Sequence, residues 1–175
     1  RARFYEYPRF TYPWHFHSEY EIIYVEKGEG DCLVGDSIIS YSKGDLILFG
    51  SELPHSMQSP PDGGEESDNE EKSELKVRGV NIQFEKDFMH YSISQYSQFI
   101  PIRNLLEDAC RGIKFTITRS GKIIKLLEQI PSAKGADQII LLLSLLQMMA
   151  TNNHKKYLTT SHYTPSPSIM RKIGR

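Results

Sequence analysis

Short apolar runs separated by turn residues fill the first half of the chain. Residues 20–25 are mostly β-branched and aromatic, and this run closes at a glycine-containing turn. Residues 31–34, 37–41 and 45–49 repeat the pattern, with turn residues about every 8–12 positions. Such spacing is typical of an antiparallel sandwich or barrel, and not of a parallel α/β sheet.

One further strand follows an acidic, low-complexity segment. Residues 59–74 hold carboxylates, serines and glycines and can bury no apolar surface, so we predict a mobile loop there. Residues 75–85 then return to an alternating pattern. Val80, Ile82 and Phe84 form its apolar side, and we expect these side chains to face the interior of the barrel and to line a ligand pocket.

The apolar period becomes helical from about residue 100. Pro101 suits the first turn of a helix, and Gly112 suits its end. A second helix is predicted over residues 122–130, with Ser120 as its cap and Pro131 at its end.

A third predicted helix, residues 132–150 with Ser132 as its cap, is apolar on nearly every side. One face packed on a barrel cannot bury such a helix. It needs a second cover, and we expect a neighbouring helix and another subunit to supply it. The sequence therefore predicts a homodimer formed through helix 132–150, with twofold symmetry as the default.

These patterns divide the chain into a β-barrel over residues 1–98, a helical segment over 99–151 and a basic linker over 152–175. The last 25 residues carry five of the 21 basic residues and no acidic one, which leaves 16 bases against 22 acidic residues before them. The mildly acidic body offers no electrostatic footprint for nucleic acid. We interpret the basic end as a solvated linker.

Apolar runs in this chain are too short for a membrane span. The longest continuous one is residues 139–143, whereas a span needs about 18. No export leader opens the sequence. We therefore expect a cytoplasmic protein without membrane contact.

Polar side chains suited to metal or ligand binding cluster before the first long strand. His15 and His17 are two positions apart, so on a strand they point to the same side. Strict alternation would add Glu19 and Glu21 to that side, unless a bulge intervenes. His55 follows a later strand. Three imidazoles and a carboxylate can hold a divalent ion and leave positions open for a ligand.

The same residues carry a family resemblance. The first cupin motif, H-x-H-x3-E-x6-G, is met at every position by His15, His17, Glu21 and Gly28. The second, G-x5-P-x-G-x2-H-x3-N, is met only at Gly44 and His55, with Gly50, Glu52 and Ser59 at its other positions. The residues around both motifs, and the predicted helices after the barrel, resemble the sensor domain of the arabinose-regulator (AraC) family of bacterial transcription regulators.

This resemblance implies a cupin-like antiparallel β-barrel (jelly roll) followed by a C-terminal helical pair, which senses a small molecule and dimerises. His15, His17, Glu21 and His55, with Val80, Ile82 and Phe84, would contact the effector, for which a sugar is one candidate. The four polar residues would hold Zn, Ni, Mn or Fe if a metal is bound. DNA contact would come only through a missing C-terminal helix-turn-helix domain.

A cupin metalloenzyme is the alternative that the sequence leaves open. A dioxygenase or sugar isomerase could use His15, His17, Glu21 and His55 to hold Fe, Mn or Zn. The partial second motif and the helical C-terminal third favour the regulator. Which glutamate faces the interior, Glu19 or Glu21, is also open, although the family pattern favours Glu21.

Overall fold

Two antiparallel sheets face each other, and helices cover the outer face of the larger sheet. The computed structural model describes residues 1–60 and 77–164. The strands are β1 (Ala2–Tyr7), β2 (Thr11–His15), β3 (Tyr20–Lys27), β4 (Gly30–Val34), β5 (Ser37–Tyr41), β6 (Asp45–Phe49), β7 (His55–Gln58), β8 (Val77–Phe84), β9 (Ile113–Thr116) and β10 (Lys155–Tyr157). The sheets have the orders β1-β8-β3-β6-β9-β10 and β2-β7-β4-β5. This architecture confirms the predicted cupin-like, mainly β fold.

Alternation along β3 assigns its two faces to two different cores. Ile23 and Val25 pack between the sheets, while Ile22 and Tyr24 pack against the helices. Both faces are covered, which is why the five consecutive residues 21–25 are all buried. Glu21 lies on the same face as Ile23, so its carboxylate points into the space between the sheets.

The helical part contains α1 (His90–Gln95), α2 (Ile100–Asp108), α3 (Gly121–Gln129) and α4 (Ala136–Ala150). Pro101 lies in the first turn of α2 as predicted, and Gly112 ends that region with a φ of 68°. Ser120 occupies the N-cap position of α3 as predicted, but the predicted cap at Ser132 is wrong. Ser120 precedes α3 without a side-chain cap bond, and Ser132 lies in a short 3₁₀ segment before α4.

Two short strands within the predicted helical and linker segments join the larger sheet. β9 pairs with the barrel strand β6, and β10 pairs with β9. Each is at most four residues long, so no alternation along the sequence could indicate it, and the tertiary pairing creates it. The division at residues 98 and 151 stays a prediction.

The predicted orientation of the apolar side of β8 is wrong. Val80, Ile82 and Phe84 are buried against the helices, in the same core as Ile22 and Leu105. The larger sheet has an apolar core on each face, so the apolar side of a strand does not by itself indicate the barrel interior. These three side chains therefore do not line the space between the sheets.

Two predicted segments lie largely outside the described residues. Residues 61–74 of the predicted acidic loop and residues 165–175 of the predicted basic linker belong to this part of the chain. Within residues 1–60 and 77–164, no helix has the length and apolarity needed to cross a membrane.

Candidate ligand and metal site

Four polar side chains converge between the two sheets. His15 ends β2, His17 follows in the loop, Glu21 lies near the start of β3, and His55 opens β7. One potential ligand atom from each lies within 4.8 Å of the others. We refer to these four residues as the His–Glu cluster. Glu21 and His55 are 3% and 1% exposed, whereas the other two histidines are partly buried.

Backbone carbonyls orient all three imidazole rings. The Nδ1 atom of His15 lies 2.7 Å from the carbonyl oxygen of Pro13, and that of His55 lies 2.7 Å from the carbonyl of Leu53. His17 Nδ1 lies 3.0 Å from the backbone oxygen of residue 19. A carbonyl can only accept, so each Nδ1 carries the proton. The three Nε2 atoms are thereby left facing the cluster, as in many metal-binding histidines.

The Glu21 carboxylate is the centre of a hydrogen-bond network. Its Oε1 lies 2.8 Å from His55 Nε2. Its Oε2 accepts from the side-chain amides of Gln83 at 2.6 Å and Asn81 at 3.2 Å. His17 Nε2 lies 3.8 Å from the same oxygen. These contacts satisfy a buried charge that would otherwise be costly.

The network shifts the pKa values of two members of the cluster. Burial raises the pKa of Glu21, but His17, His55 and Gln83 lower it by more, so it lies well below its ordinary value. The contact with Glu21 raises the pKa of His17, against the opposing effect of burial. Glu21 is therefore an anion at neutral pH.

Two observations show that these residues fit a divalent ion. First, His55 Nε2 and Glu21 Oε1 are 2.8 Å apart, so a proton or a cation must lie between two atoms that would otherwise present lone pairs to each other. Second, His17 Nε2 is buried and has no hydrogen-bond partner among the described residues. Ligand atoms around one ion lie about 3 to 4 Å apart, since metal–ligand distances are about 2.1 Å. Small side-chain shifts would bring the four ligand atoms to the distances that one ion requires.

One aromatic ring packs directly on the cluster, and an aromatic group lies in the same space between the sheets. Phe49 stacks on His55, with ring centroids 3.9 Å apart and planes 7° apart. Deeper between the sheets, Phe10 contacts Tyr5, Tyr12 and Tyr41, with centroid distances of 5.3 to 5.6 Å. The site thus has an apolar wall and a few convergent polar groups, which is the usual composition of a small-molecule pocket.

Comparison with protein families assigns this chain to one of them. The model of the family described as AraC-like ligand binding domain matches residues 1–156. This chain belongs to the AraC-like ligand-binding domain family. The predicted resemblance is thereby confirmed.

Solved structures share this fold. ToxT from Vibrio cholerae O395, bound to (E)-4-(8-methylnaphthalen-1-yl)but-3-enoic acid, superposes with a TM-score of 0.55 at 12% identity, covering 98% of this chain and 62% of that one. ToxT from strain SCE256 with a bound unsaturated fatty acid gives 0.53 at 16% identity, covering 86% and 51%. This AraC-like domain thus spans about half to three fifths of those proteins. A search of curated protein sequences finds no match.

Sequence reasoning found four of the six polar residues that meet in this AraC-like domain. The structure brings His15, His17, Glu21 and His55 together, and it selects Glu21 because Glu19 is 35% exposed at the rim. The other two residues, missed by the prediction, are the amides that bind Glu21. They occupy the polar side of β8, which was predicted to face outward. The alternating pattern therefore placed both residues on one side of the strand, but it did not indicate that this side faces the space between the sheets. Whether these residues bind ligand or metal stays a prediction.

Proposed function

We propose that this AraC-like domain binds a small-molecule effector beside the His–Glu cluster and thereby controls a DNA-binding domain elsewhere in the full-length regulator. The observation that carries the proposal is the buried, fully hydrogen-bonded Glu21 carboxylate in the barrel of a ligand-binding family. A cytoplasmic location follows from this role. A sugar effector is one case within the proposal.

Energetics favour binding over a purely structural role for these groups. Placing three imidazoles and a carboxylate between two apolar sheets costs stability compared with a hydrophobic core. A few convergent polar groups in an apolar surrounding are typical of sites that bind a small molecule. ToxT structures hold an unsaturated fatty acid and a naphthalenyl butenoic acid, so this fold has room for small organic ligands.

The strands that carry the site also pack against the helices, and they would couple ligand binding to the position of the helices. On β3, Glu21 faces the barrel while Ile22 packs against the helices. On β8, Asn81 binds Glu21 while Ile82 contacts the helical side. A ligand that prefers one arrangement of these strands would therefore bias the helices on their other face, by an amount set by its differential affinity.

The helices offer a surface for a second copy, and we include a homodimer in the proposal. Ile139 and Ile140 on α4 are 46% and 56% exposed, although the same helix buries four other apolar side chains in the core. A groove near them is lined by four apolar and three polar residues: Phe99, Ile102, Leu143 and Met148 with Gln98, Ser144 and Gln147. Twofold pairing through α4 would bury both features.

A metal-dependent cupin activity is the second candidate, and the four-residue donor set favours it. Zn, Ni, Mn or Fe would be held by His15, His17, Glu21 and His55, and such an ion would supply Lewis acidity to a bound ligand. The residues themselves orient the site: carbonyls fix the rings, and the Asn81 and Gln83 amides hold the carboxylate.

A thermal-shift screen with sugars and carboxylic acids tests the leading proposal. At a ligand concentration of about 100 times its Kd, binding adds about 2.7 kcal/mol, or about 5–10 °C in Tm for a chain of this size. We expect Glu21→Gln to abolish the shift. Glu19→Gln is the matched control and should retain it. A ligand whose shift is equal in both variants binds elsewhere and contradicts the proposal.

Elemental analysis with native mass spectrometry separates the two candidates. Stoichiometric metal in the purified chain, lost in a His17→Ala, His55→Ala double variant and accompanied by turnover, would replace the sensor proposal with the enzyme. A dimer that binds an effector without turnover supports the sensor.

A further inference from the structure

Two side-chain amides on β8 reach the carboxylate of the His–Glu cluster from the neighbouring strand. Gln83 lies directly opposite Glu21 in the pairing of β8 with β3, and Asn81 lies opposite Ile23. Residues two apart on a strand project to the same side, so both amides share the face that carries the Glu21 carboxylate. The register of the two strands thus places a second layer of polar groups behind this carboxylate.

Both amide hydrogen bonds end on the same oxygen of Glu21. Gln83 Nε2 lies 2.6 Å from Oε2, and Asn81 Nδ2 lies 3.2 Å from it. An ionised carboxylate only accepts hydrogen bonds, so each amide presents its NH2 group to it. The four acceptor positions of a carboxylate are shared between its two oxygens, about two on each. The two amides therefore use the accepting capacity of Oε2.

The other oxygen of Glu21 points into the cluster. Oε1 lies 2.8 Å from Nε2 of His55. Glu21 is only 3% exposed, so turning the carboxylate to present Oε2 would break two hydrogen bonds to a charged group where little water could replace them. A cation among the imidazoles would therefore meet Oε1 and not Oε2.

We propose that Asn81 and Gln83 are positioning residues that hold Oε2 of Glu21 away from a bound divalent cation, so that Glu21 contributes one oxygen instead of two. This inference rests on the proposed function, in which the His–Glu cluster belongs to the effector site. Outer hydrogen bonds of this kind orient metal ligands and tune their strength. The coordination position that a second carboxylate oxygen would occupy then stays open for a group of the effector.

A purely structural role for the amides makes a different prediction. Their hydrogen bonds would then only satisfy a buried charge. Removal of one amide would lower the stability of the fold, but the number of Glu21 oxygens that contact a cation would not change. The deciding measurement must therefore observe the carboxylate itself.

Infrared difference spectra of the zinc-loaded minus the zinc-free chain observe this carboxylate directly. A carboxylate that binds a metal through one oxygen has a wider separation between its antisymmetric and symmetric stretches than one that binds through both. The bands of Glu21 are assigned by their loss in Glu21→Gln. We expect a wide separation in the unchanged chain.

Leucine variants of the two amides test the positioning role. Gln83→Leu removes the shorter bond and should narrow the separation, because the freed Oε2 can turn toward the zinc ion. Asn81→Leu should act in the same direction, and it supplies the test if Gln83→Leu does not fold. Zinc is added in large excess, because the loss of an outer partner weakens metal binding about 10–100-fold.

Arg78→Gln is the matched control on the same strand. The Arg78 side chain pairs with Glu26 at 3.3 Å and is about half exposed. The separation of the Glu21 bands should stay wide in this variant.

Each outcome decides for or against the positioning role. A narrow separation in the unchanged chain overturns it, since both oxygens then bind zinc. A separation that stays wide in both leucine variants also overturns it. If the chain binds no zinc while a screened compound still raises Tm through Glu21, the positioning role fails and the proposed effector-binding function stands. If the leucine variants narrow the separation but no compound depends on Glu21, the positioning role stands and the proposed function fails.

Discussion

At the scale of single residues, one buried carboxylate holds the polar site together. Glu21 lies 2.8 Å from His55 Nε2 and accepts hydrogen bonds from the side-chain amides of Asn81 and Gln83. His55 lies on β7, and the two amides lie on β8. The carboxylate is thus the common partner of side chains from two other strands.

Gly28, the last position of the first motif, gives a prediction at this scale. It has a φ of 127°, and an added Cβ would lie 2.7 Å from Val77 Cγ1. We expect Gly28→Ala to destabilise the fold by more than about 1 kcal/mol, because the conformation and the contact are both unfavourable. Urea unfolding measures the change.

Gly121 provides the matched control for this substitution. It begins α3, and an added Cβ there meets nothing within 4 Å. Gly121→Ala should leave stability unchanged or raise it by up to about 1 kcal/mol, since alanine is the better helix former. Equal destabilisation by both alanines would contradict our interpretation of the Gly28 turn.

At the scale of elements, α4 shows how much an apolar pattern can predict. Because it is apolar on nearly every side, we predicted that two different neighbours pack against it. One of them is the intramolecular core, which holds Leu142, Leu145, Leu146 and Met149. Ile139 and Ile140 point away from that core, and the predicted second subunit stays a prediction.

Charge substitution on α4 tests the dimer. Ile140→Glu should shift the sedimentation of the chain from dimer to monomer with little effect on Tm, because the side chain is outside the core. Leu145→Ala should instead lower stability by about 2–5 kcal/mol through a buried cavity. A dimer that persists in Ile140→Glu would exclude this surface as the interface.

At the scale of the whole molecule, the chain returns to the barrel after the helices. Asp36, in the turn between β4 and β5, accepts hydrogen bonds from the backbone amide and the hydroxyl of Thr160. Nearby, β10 pairs with β9 at the edge of the larger sheet. The segment beyond the helices is thus tied to both sheets.

The Asp36 contact gives a pH prediction with a definite sign. The side-chain and backbone bonds from Thr160 lower the pKa of Asp36 below its ordinary value of 3.8. A depressed carboxyl pKa contributes stability that is present above the unfolded pKa and is lost as pH falls through the folded one. The Thr160 amide shift should therefore titrate below pH 3.8, and Asp36→Asn should abolish that transition. A Thr160 shift unchanged by the substitution would contradict the contact.

Sequence by itself determined the antiparallel barrel, the helical region and the four residues of the His–Glu cluster. These follow from local periodicity, turn residues and fixed spacing, which are properties of neighbouring positions. Tertiary structure alone decided which face of β8 looks inward, the pairing of β9 and β10, and the meeting of Gln83 with Glu21 across a strand pair. Each depends on residues far apart in the chain, whose contact energies no local pattern contains.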